Sequence, residues 1–143
     1  MNCPDRGTRR LLIKDVSTAF LQSKKFPPDL VKFICFYDPL LRQWEYFRQT
    51  GPIYGECSAP VRWEDTYAEV YDDNGYTRGD NEPAAFYNEE TDTLALSFVD
   101  DGLCDAEEDQ CVSWSALLES NFECKEDECS ILFFALPMKI QKE

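Results

Sequence analysis

The order of strand-like and helix-like segments is the feature that most restricts how this 143-residue chain can fold. Short apolar runs at 9–16, 84–88, 93–99 and 131–136 are typical of strands, and the four residues 89–92 suit a hairpin turn between the middle two. One helical pattern precedes this hairpin and another follows it. The order β-α-β-β-α-β predicts a ferredoxin-like α+β fold, with an antiparallel sheet and two helices on one face.

The two helices are predicted from apolar side chains that recur with helical spacing. The first helix should start near Ser58 and end at Asn74-Gly75, and its buried face comprises Trp63, Tyr67, Val70 and Tyr71. The second should follow Asp105, where acidic residues favour a helix start, and its buried face comprises Cys111, Trp114, Leu118 and Phe122.

Residues 23–53 are predicted to form an irregular, aromatic-rich insertion within a single domain spanning 1–143, because three proline-containing breaks interrupt them. Two pieces, 33–37 and 44–47, are nevertheless strand-like. Aromatic side chains without a core of their own either fold back over the domain or form an interface. We expect an interface made by Phe33, Phe36, Tyr37, Trp44, Tyr46 and Phe47.

Charge and composition limit the partners of the chain. Residues 1–50 carry nine basic and five acidic side chains, whereas 51–143 carry five and twenty-three, which together give the net charge of −14. Most of the chain would therefore repel a phosphate backbone, so nucleic acid is not the expected partner. No apolar run approaches the roughly 20 residues of a membrane span. Seven cysteines, an odd number, predict a reducing intracellular compartment, either cytoplasmic or organellar.

Three aspartates are candidate metal ligands. Asp100 and Asp101 end the strand-like run 94–99, and Asp15 follows the apolar run 11–13. Carboxylates from neighbouring strands could hold the two Mg²⁺ or Mn²⁺ ions of a phosphoryl-transfer site. Such closely placed carboxylates repel one another, so at least one should have a raised pKa. The alternative is that these are ordinary aspartates at turns and strand ends, where the residue is common.

Several segments resemble, in order, the Ty1/copia-type retrotransposon reverse transcriptases. Lys14–Leu21 resembles their DVxxAFL motif, 54–63 is similar to their YGLKQAPRxW segment, and 98–101 matches their FVDD hairpin. The resemblance implies a polymerase palm in which Asp15, Asp100 and Asp101 are the catalytic, metal-binding carboxylates. It also implies that Phe20 lies beneath the sugar of the incoming nucleotide and excludes ribonucleotides; the alternative for Phe20 is ordinary core packing.

Departures from the family pattern shape the functional expectation. Glu56, Cys57 and Ser58 replace basic and amide residues of the family segment, and the resemblance covers the palm without fingers or thumb. We therefore expect a non-catalytic accessory or structural subunit that docks onto a larger protein assembly and needs no cofactor. Two alternatives remain open: an RNA-directed DNA polymerase that uses Mg²⁺ or Mn²⁺, and an acidic regulator of a basic partner.

Overall fold

The computed structural model describes residues 9–125, which belong to two compact units. Residues 9–17 and 71–125 form the sheet unit, and residues 18–70 form the ribbon unit. The predicted last strand, 131–136, lies outside the described residues. The prediction of a single domain stays a prediction.

The elements follow one another in this order: β1 (Arg9–Asp15), a short 3-10 helix (Ala19–Gln22), β2 (Lys32–Asp38), β3 (Gln43–Gln49), α1 (Ala59–Asp72), β4 (Thr77–Arg78), β5 (Ala85–Asn88), β6 (Thr93–Phe98), β7 (Asp101–Glu107) and α2 (Glu108–Asn121). Neither α-helix of the described residues combines the length and hydrophobicity that a membrane span requires.

The sheet unit is built on a five-stranded antiparallel sheet with the strand order β1-β7-β6-β5-β4. On the far side of β1, an isolated antiparallel bridge joins Val16 to Cys124. The predicted α+β class is confirmed, and the arrangement is consistent with a small ferredoxin-like fold. Within residues 9–125 the sheet has five strands: three of the four predicted strands, together with β4 and β7, which were not predicted.

One face of this sheet packs on α2 and forms the core of the sheet unit. The strands contribute small or aliphatic side chains that are buried: Leu12, Ala95, Cys104 and Ala106. The helix contributes the predicted set, Cys111, Trp114, Leu118 and Phe122, all of them buried. Trp114 Nε1 donates a 2.8 Å hydrogen bond to the hydroxyl of Tyr71, whose ring stacks on Phe86 with 4.3 Å between centroids. The Trp114 indole is therefore both packed and satisfied.

Strand β7 is the longer of the two strands that the sequence analysis missed. Its inward residues are Gly102, Cys104 and Ala106, and its outward residues include three acids. This composition lacks the β-branched and aromatic residues that favour strands. The small side chains suit the inner face because α2 packs directly against this strand. Pairing with β1 and β6 on either side, rather than local preference, makes this segment a strand.

The ribbon unit contains an isolated two-stranded sheet, in which β2 pairs antiparallel with β3. The segment predicted to be irregular thus contains a regular hairpin, formed by the two pieces that were predicted to be strand-like. Asp38 Oδ1 accepts hydrogen bonds from the backbone N–H of Leu40 and Leu41 and organises the connecting turn. In α1, Trp63 and Tyr67 are buried as predicted.

The five cysteines of the described residues are free, and they differ in exposure, with Cys124 partly buried. Cys35 and Cys57 are exposed, whereas Cys104 and Cys111 are buried with their sulfurs 3.9 Å apart. Burial raises the pKa of both buried thiols. The thiolate is the form of cysteine that reacts with alkylating reagents. These two sulfurs are therefore protected both by their burial and by staying protonated.

We therefore expect the exposed pair to react with iodoacetamide about a hundredfold faster than the buried pair in the native protein. Timed alkylation followed by peptide mass spectrometry measures each site in the same sample. Unfolding in urea should make the rates similar, which is the internal control. Equal labelling of Cys104 and Cys35 before unfolding would contradict the packing of α2 on the sheet.

Candidate functional site

The three predicted aspartates meet at one end of the sheet unit. Asp15 ends β1 and lies directly opposite Asp101, the first residue of β7. Asp100 lies in the two-residue turn between β6 and β7 and accepts a 2.8 Å hydrogen bond from the backbone N–H of Val16 through its own carbonyl. Residues of neighbouring strands are thus brought together, with Asp100 and Asp101 at the β6–β7 hairpin turn.

The turn that carries Asp100 has an unusual backbone. Val99 has a φ of 53°, in the left-handed region that β-branched residues avoid. Two-residue hairpin turns normally place glycine or asparagine at such positions. Backbone strain of this kind costs about 1–3 kcal/mol and is concentrated at functional sites. A valine here indicates that the turn geometry is imposed by its surroundings.

Electrostatic repulsion acts on the Asp100 carboxylate. Burial raises the pKa of Asp100 above its usual value, the charges of Asp15 and Asp101 raise it further, and Lys125 lowers it. The direction agrees with the expectation of at least one raised carboxyl pKa, although burial contributes more than either neighbouring charge. The Oδ1 atoms of Asp15 and Asp100 are both buried, and neither has a hydrogen-bond partner among residues 9–125. Buried polar atoms without a hydrogen bond are uncommon in proteins, and a bound ion or water molecule is one way to satisfy them.

A lysine that the sequence analysis did not single out contacts this cluster. Lys125 Nζ lies 2.7 Å from Asp15 Oδ2, and Lys125 N donates to the Asp15 carbonyl at 3.0 Å. A further backbone bond, from Ser17 N to Glu123 O at 2.8 Å, continues this pairing. The segment 123–125 therefore runs along β1 and places an ammonium group on the carboxylate. Nothing in the sequence signals this contact, because the two residues are 110 positions apart.

The carboxylate oxygens of this cluster differ in how well they suit a metal ion. The two unsatisfied Oδ1 atoms fit the preference of Mg²⁺ and Mn²⁺ for carboxylate ligands. Against this, Asp15 Oδ2 is taken by Lys125. Within residues 9–125, no group of three or more His, Cys, Asp or Glu side chains is arranged to hold a metal ion. The aspartates interact with one another, but they do not form a ready-made metal site.

Replacing Asp100 with asparagine should stabilise the fold at neutral pH. Because the folded-state pKa is raised, Asp100 favours folding below its unfolded pKa, and this contribution is lost as the pH rises through the folded value. Near pH 7 the charged group opposes folding, and asparagine removes the charge. We expect a melting temperature higher by roughly 1–3 °C at pH 7, with a difference that shrinks towards about pH 3. Thermal melts across this range measure it.

Asp73→Asn is the matched control, since Asp73 is exposed. It should change the melting temperature little at any pH. A loss of stability in Asp100→Asn at pH 7 would contradict the repulsion described for this cluster.

The remaining residues that the resemblance assigns to the site belong to the ribbon unit. Phe20 is half-buried in the short 3-10 helix, and its ring contacts that of Tyr54 with 4.9 Å between centroids. Glu56 accepts hydrogen bonds from Lys32 at 2.8 Å and from Gln49 at 2.7 Å. The Lys32 ammonium holds the pKa of Glu56 below its usual value. Glu56 therefore ties its loop to the base of the β2–β3 hairpin.

The six predicted interface aromatics all lie on the β2–β3 hairpin, which we call the aromatic ribbon (residues 32–49). The strand register divides them between its two faces. Phe36 and Phe47 stack on one face with 5.3 Å between centroids, and Tyr37 and Trp44 make an edge contact at 5.7 Å on the other. Every member of the set is exposed on the chain: Phe33, Phe36, Tyr37, Trp44, Tyr46 and Phe47.

The tip of the aromatic ribbon adds two residues that the sequence analysis overlooked. Leu40 is 91 % exposed and Leu41 62 % exposed. Turn residues are usually polar, so two adjacent leucines in a hairpin turn were a usable signal. With Arg42 and Arg48 on the same hairpin, the aromatic ribbon has the Trp, Tyr, Phe and Arg content typical of protein interfaces.

Comparison with protein-family models found no match for this chain, and a search of curated proteins found no similar sequence. The resemblance to copia-type reverse transcriptases therefore stays a prediction that depends on the motifs quoted for it. The α+β fold and the grouping of Asp15, Asp100 and Asp101 are properties of the chain itself.

Proposed function

We propose that this protein is a non-catalytic subunit that docks onto a partner protein through the aromatic ribbon. The observation that carries this proposal is the exposure of large apolar side chains on both faces of a two-stranded hairpin. Scattered exposed apolar residues are normal, but a contiguous set of six aromatics marks a binding surface.

The low stability expected of an isolated hairpin supports the same proposal. An isolated two-stranded sheet is marginal in water, and it normally needs packing on a further layer. Both faces of the aromatic ribbon are apolar, so a single flat contact would leave one face in water. A partner with a two-walled apolar cleft covers both faces and the leucine tip together. Such a contact should bury roughly 800 Å² on each partner, the typical size of a stable interface.

Charge indicates that this contact is made by packing rather than by electrostatic attraction. Residues 32–49 carry three basic and two acidic side chains, although the whole chain has a net charge of −14. The aromatic ribbon is therefore nearly neutral on a strongly acidic protein. Desolvating it costs little, whereas desolvating an acidic surface costs much more.

Site-specific crosslinking tests this proposal directly. A photoreactive amino acid in place of Tyr46 should crosslink the protein to one partner in extracts of the cells that make it. The same amino acid in place of Val112, which is exposed on α2, should not give that product. The native protein should also migrate as a complex. Migration as a lone monomer without a crosslink at position 46 would refute the docking proposal.

The second candidate function is nucleotidyl transfer, which the grouping of the three aspartates favours. In that case Asp15, Asp100 and Asp101 would hold Mg²⁺ or Mn²⁺. The ion pair between Lys125 and Asp15 argues against it, because the ammonium neutralises a carboxylate that the metals require.

A primer-extension assay separates the two candidates. Purified protein with primer-template, deoxynucleotides and Mn²⁺ should show no extension above an Asp100→Asn, Asp101→Asn control. Extension that depends on these aspartates would replace the docking proposal by the enzyme. This readout does not involve the aromatic ribbon, so the two experiments can fail independently.

A further inference from the structure

The outer face of the five-stranded sheet, opposite α2, carries an apolar row among its polar residues. An antiparallel sheet with one solvated face normally alternates apolar inward and polar outward residues. Here cross-strand pairing aligns an apolar row over four neighbouring strands: Ile13, Leu103, Leu96 and Ala85. Ile13 and Leu96 are both exposed. This row does not belong to the core, since the buried side chains of these four strands lie on the opposite face, where β1 and β7 pack on α2.

A cavity of about 530 Å³ lies on this face, within the range of ligand-binding clefts. Its lining includes the apolar side chains of Ile13, Leu96 and Leu103 and the exposed ring of Phe98. The charged residues among its described lining are Glu82 and Asp101, both acidic. Within residues 9–125, no basic side chain forms an ion pair with either carboxylate.

We propose that this outer face, defined by Ile13, Leu96, Phe98 and Leu103, binds a basic amphipathic helix of a partner protein. The apolar stripe of the helix covers the apolar row, and its lysine or arginine side chains pair with Glu82 and Asp101. Charge complementarity identifies the occupant, because the wall offers apolar surface and carboxylates together. None of these residues belongs to the aromatic ribbon, so the inference goes beyond the docking function proposed for that hairpin.

The dimensions of the row agree with this occupant. Four strands spaced about 4.8 Å apart give a row of roughly 14 Å. A helix rises 5.4 Å per turn, so about three turns cover that length. Apolar side chains spaced three and four residues apart then meet the row, while flanking basic residues reach the two carboxylates.

A synthetic peptide of about 18 leucine and lysine residues, with the leucines at helical spacing, is the probe. Titration into the full-length protein with methyl-labelled Ile, Leu and Val should shift the methyl signals of Ile13, Leu96 and Leu103. The methyl signals of Val112 on α2 should stay unchanged. Trp44→Ala should bind the peptide as the native protein does, which separates this face from the aromatic ribbon.

Paired variants distinguish a site from general attraction to an acidic protein. Glu82→Gln with Asp101→Asn and Glu90→Gln with Asp73→Asn each remove two negative charges, but only the first pair lines the cavity. We expect at least a fivefold greater loss of affinity from the first pair. Likewise Ile13→Ser with Leu96→Ser should weaken binding about tenfold or more, compared with little change for Val61→Ser with Val112→Ser.

Several outcomes would overturn the inference. Equal losses in the site and control pairs would mean nonspecific charge attraction. Failure of the full-length protein to bind the peptide would mean that the face does not accept a partner helix. Dodecylammonium that binds as tightly as the peptide and shifts the same methyl groups would mean that the ligand is a small amphiphile. Thermal melts of each variant exclude misfolding as the cause.

Discussion

Replacing Trp114 with alanine is expected to lower the free energy of unfolding by about 3–5 kcal/mol, the usual cost of removing a large buried aromatic side chain. The indole is 1 % exposed and lies between α2 and the sheet. Its removal creates a cavity and leaves the Tyr71 hydroxyl without its 2.8 Å donor. Because natural domains are stable by only about 5–15 kcal/mol, much of the margin should disappear.

Urea unfolding followed by circular dichroism measures this loss. Trp114→Phe helps to separate the two contributions, since it keeps a buried aromatic ring but removes the indole N–H together with one ring. It should cost about 1–2 kcal/mol. Val112→Ala, at an exposed position two residues away on the same helix, is the control and should cost little. A loss below about 1 kcal/mol for Trp114→Ala would show that the core of the sheet unit is packed differently.

Replacing Trp44 with alanine should, unlike the change at Trp114, leave the free energy of unfolding unchanged and weaken binding to the partner. Trp44 is 58 % exposed on the aromatic ribbon, so its removal takes little from the folded chain. Tryptophan and tyrosine are the residues that most often dominate an interface, where truncation costs about 2 kcal/mol or more. We therefore expect at least about a thirtyfold weaker complex, with Tyr46→Ala behaving similarly.

Affinity for the crosslinked partner, measured with purified components, decides this prediction. The circular dichroism spectrum and the urea midpoint should match those of the native protein. Val61→Ala, an exposed apolar position on α1, is the matched control. Unchanged affinity in both Trp44→Ala and Tyr46→Ala would show that the aromatic ribbon is not the docking surface.

Elements with a strong local pattern could be predicted from the sequence. The helical spacing of Trp63, Tyr67 and Tyr71 predicted α1, and that of Cys111, Trp114 and Leu118 predicted α2. Buried aromatic and sulfur-containing residues at that spacing leave few alternatives, because only a helix aligns them on one face. The hairpin of β5 and β6 was likewise visible as two apolar runs with a polar turn between them.

The candidate site was only partly predictable. The types of its residues and their positions at strand ends were visible, so Asp15, Asp100 and Asp101 could be named. Their pairing could not be derived in detail, since β7 was not recognised as a strand. The position of Lys125 depends on its backbone hydrogen bond to Asp15, which lies 110 residues away in the sequence. Spacing along a chain carries no information about such a contact.

The sequence by itself determined the α+β class, both helices, most of the strands and the concentration of aromatics in one segment. Each of these follows from the spacing of side chains within about ten neighbouring residues. That spacing decides which side chains of a helix or strand share one buried face. Only the tertiary structure decided that β7 is a strand, that Lys125 neutralises Asp15, and that Ile13, Leu96 and Leu103 align on an open face. These features arise from pairing between distant strands. Partners in a sheet are selected by global packing, because the backbone hydrogen bonds of a strand are the same for any partner it meets.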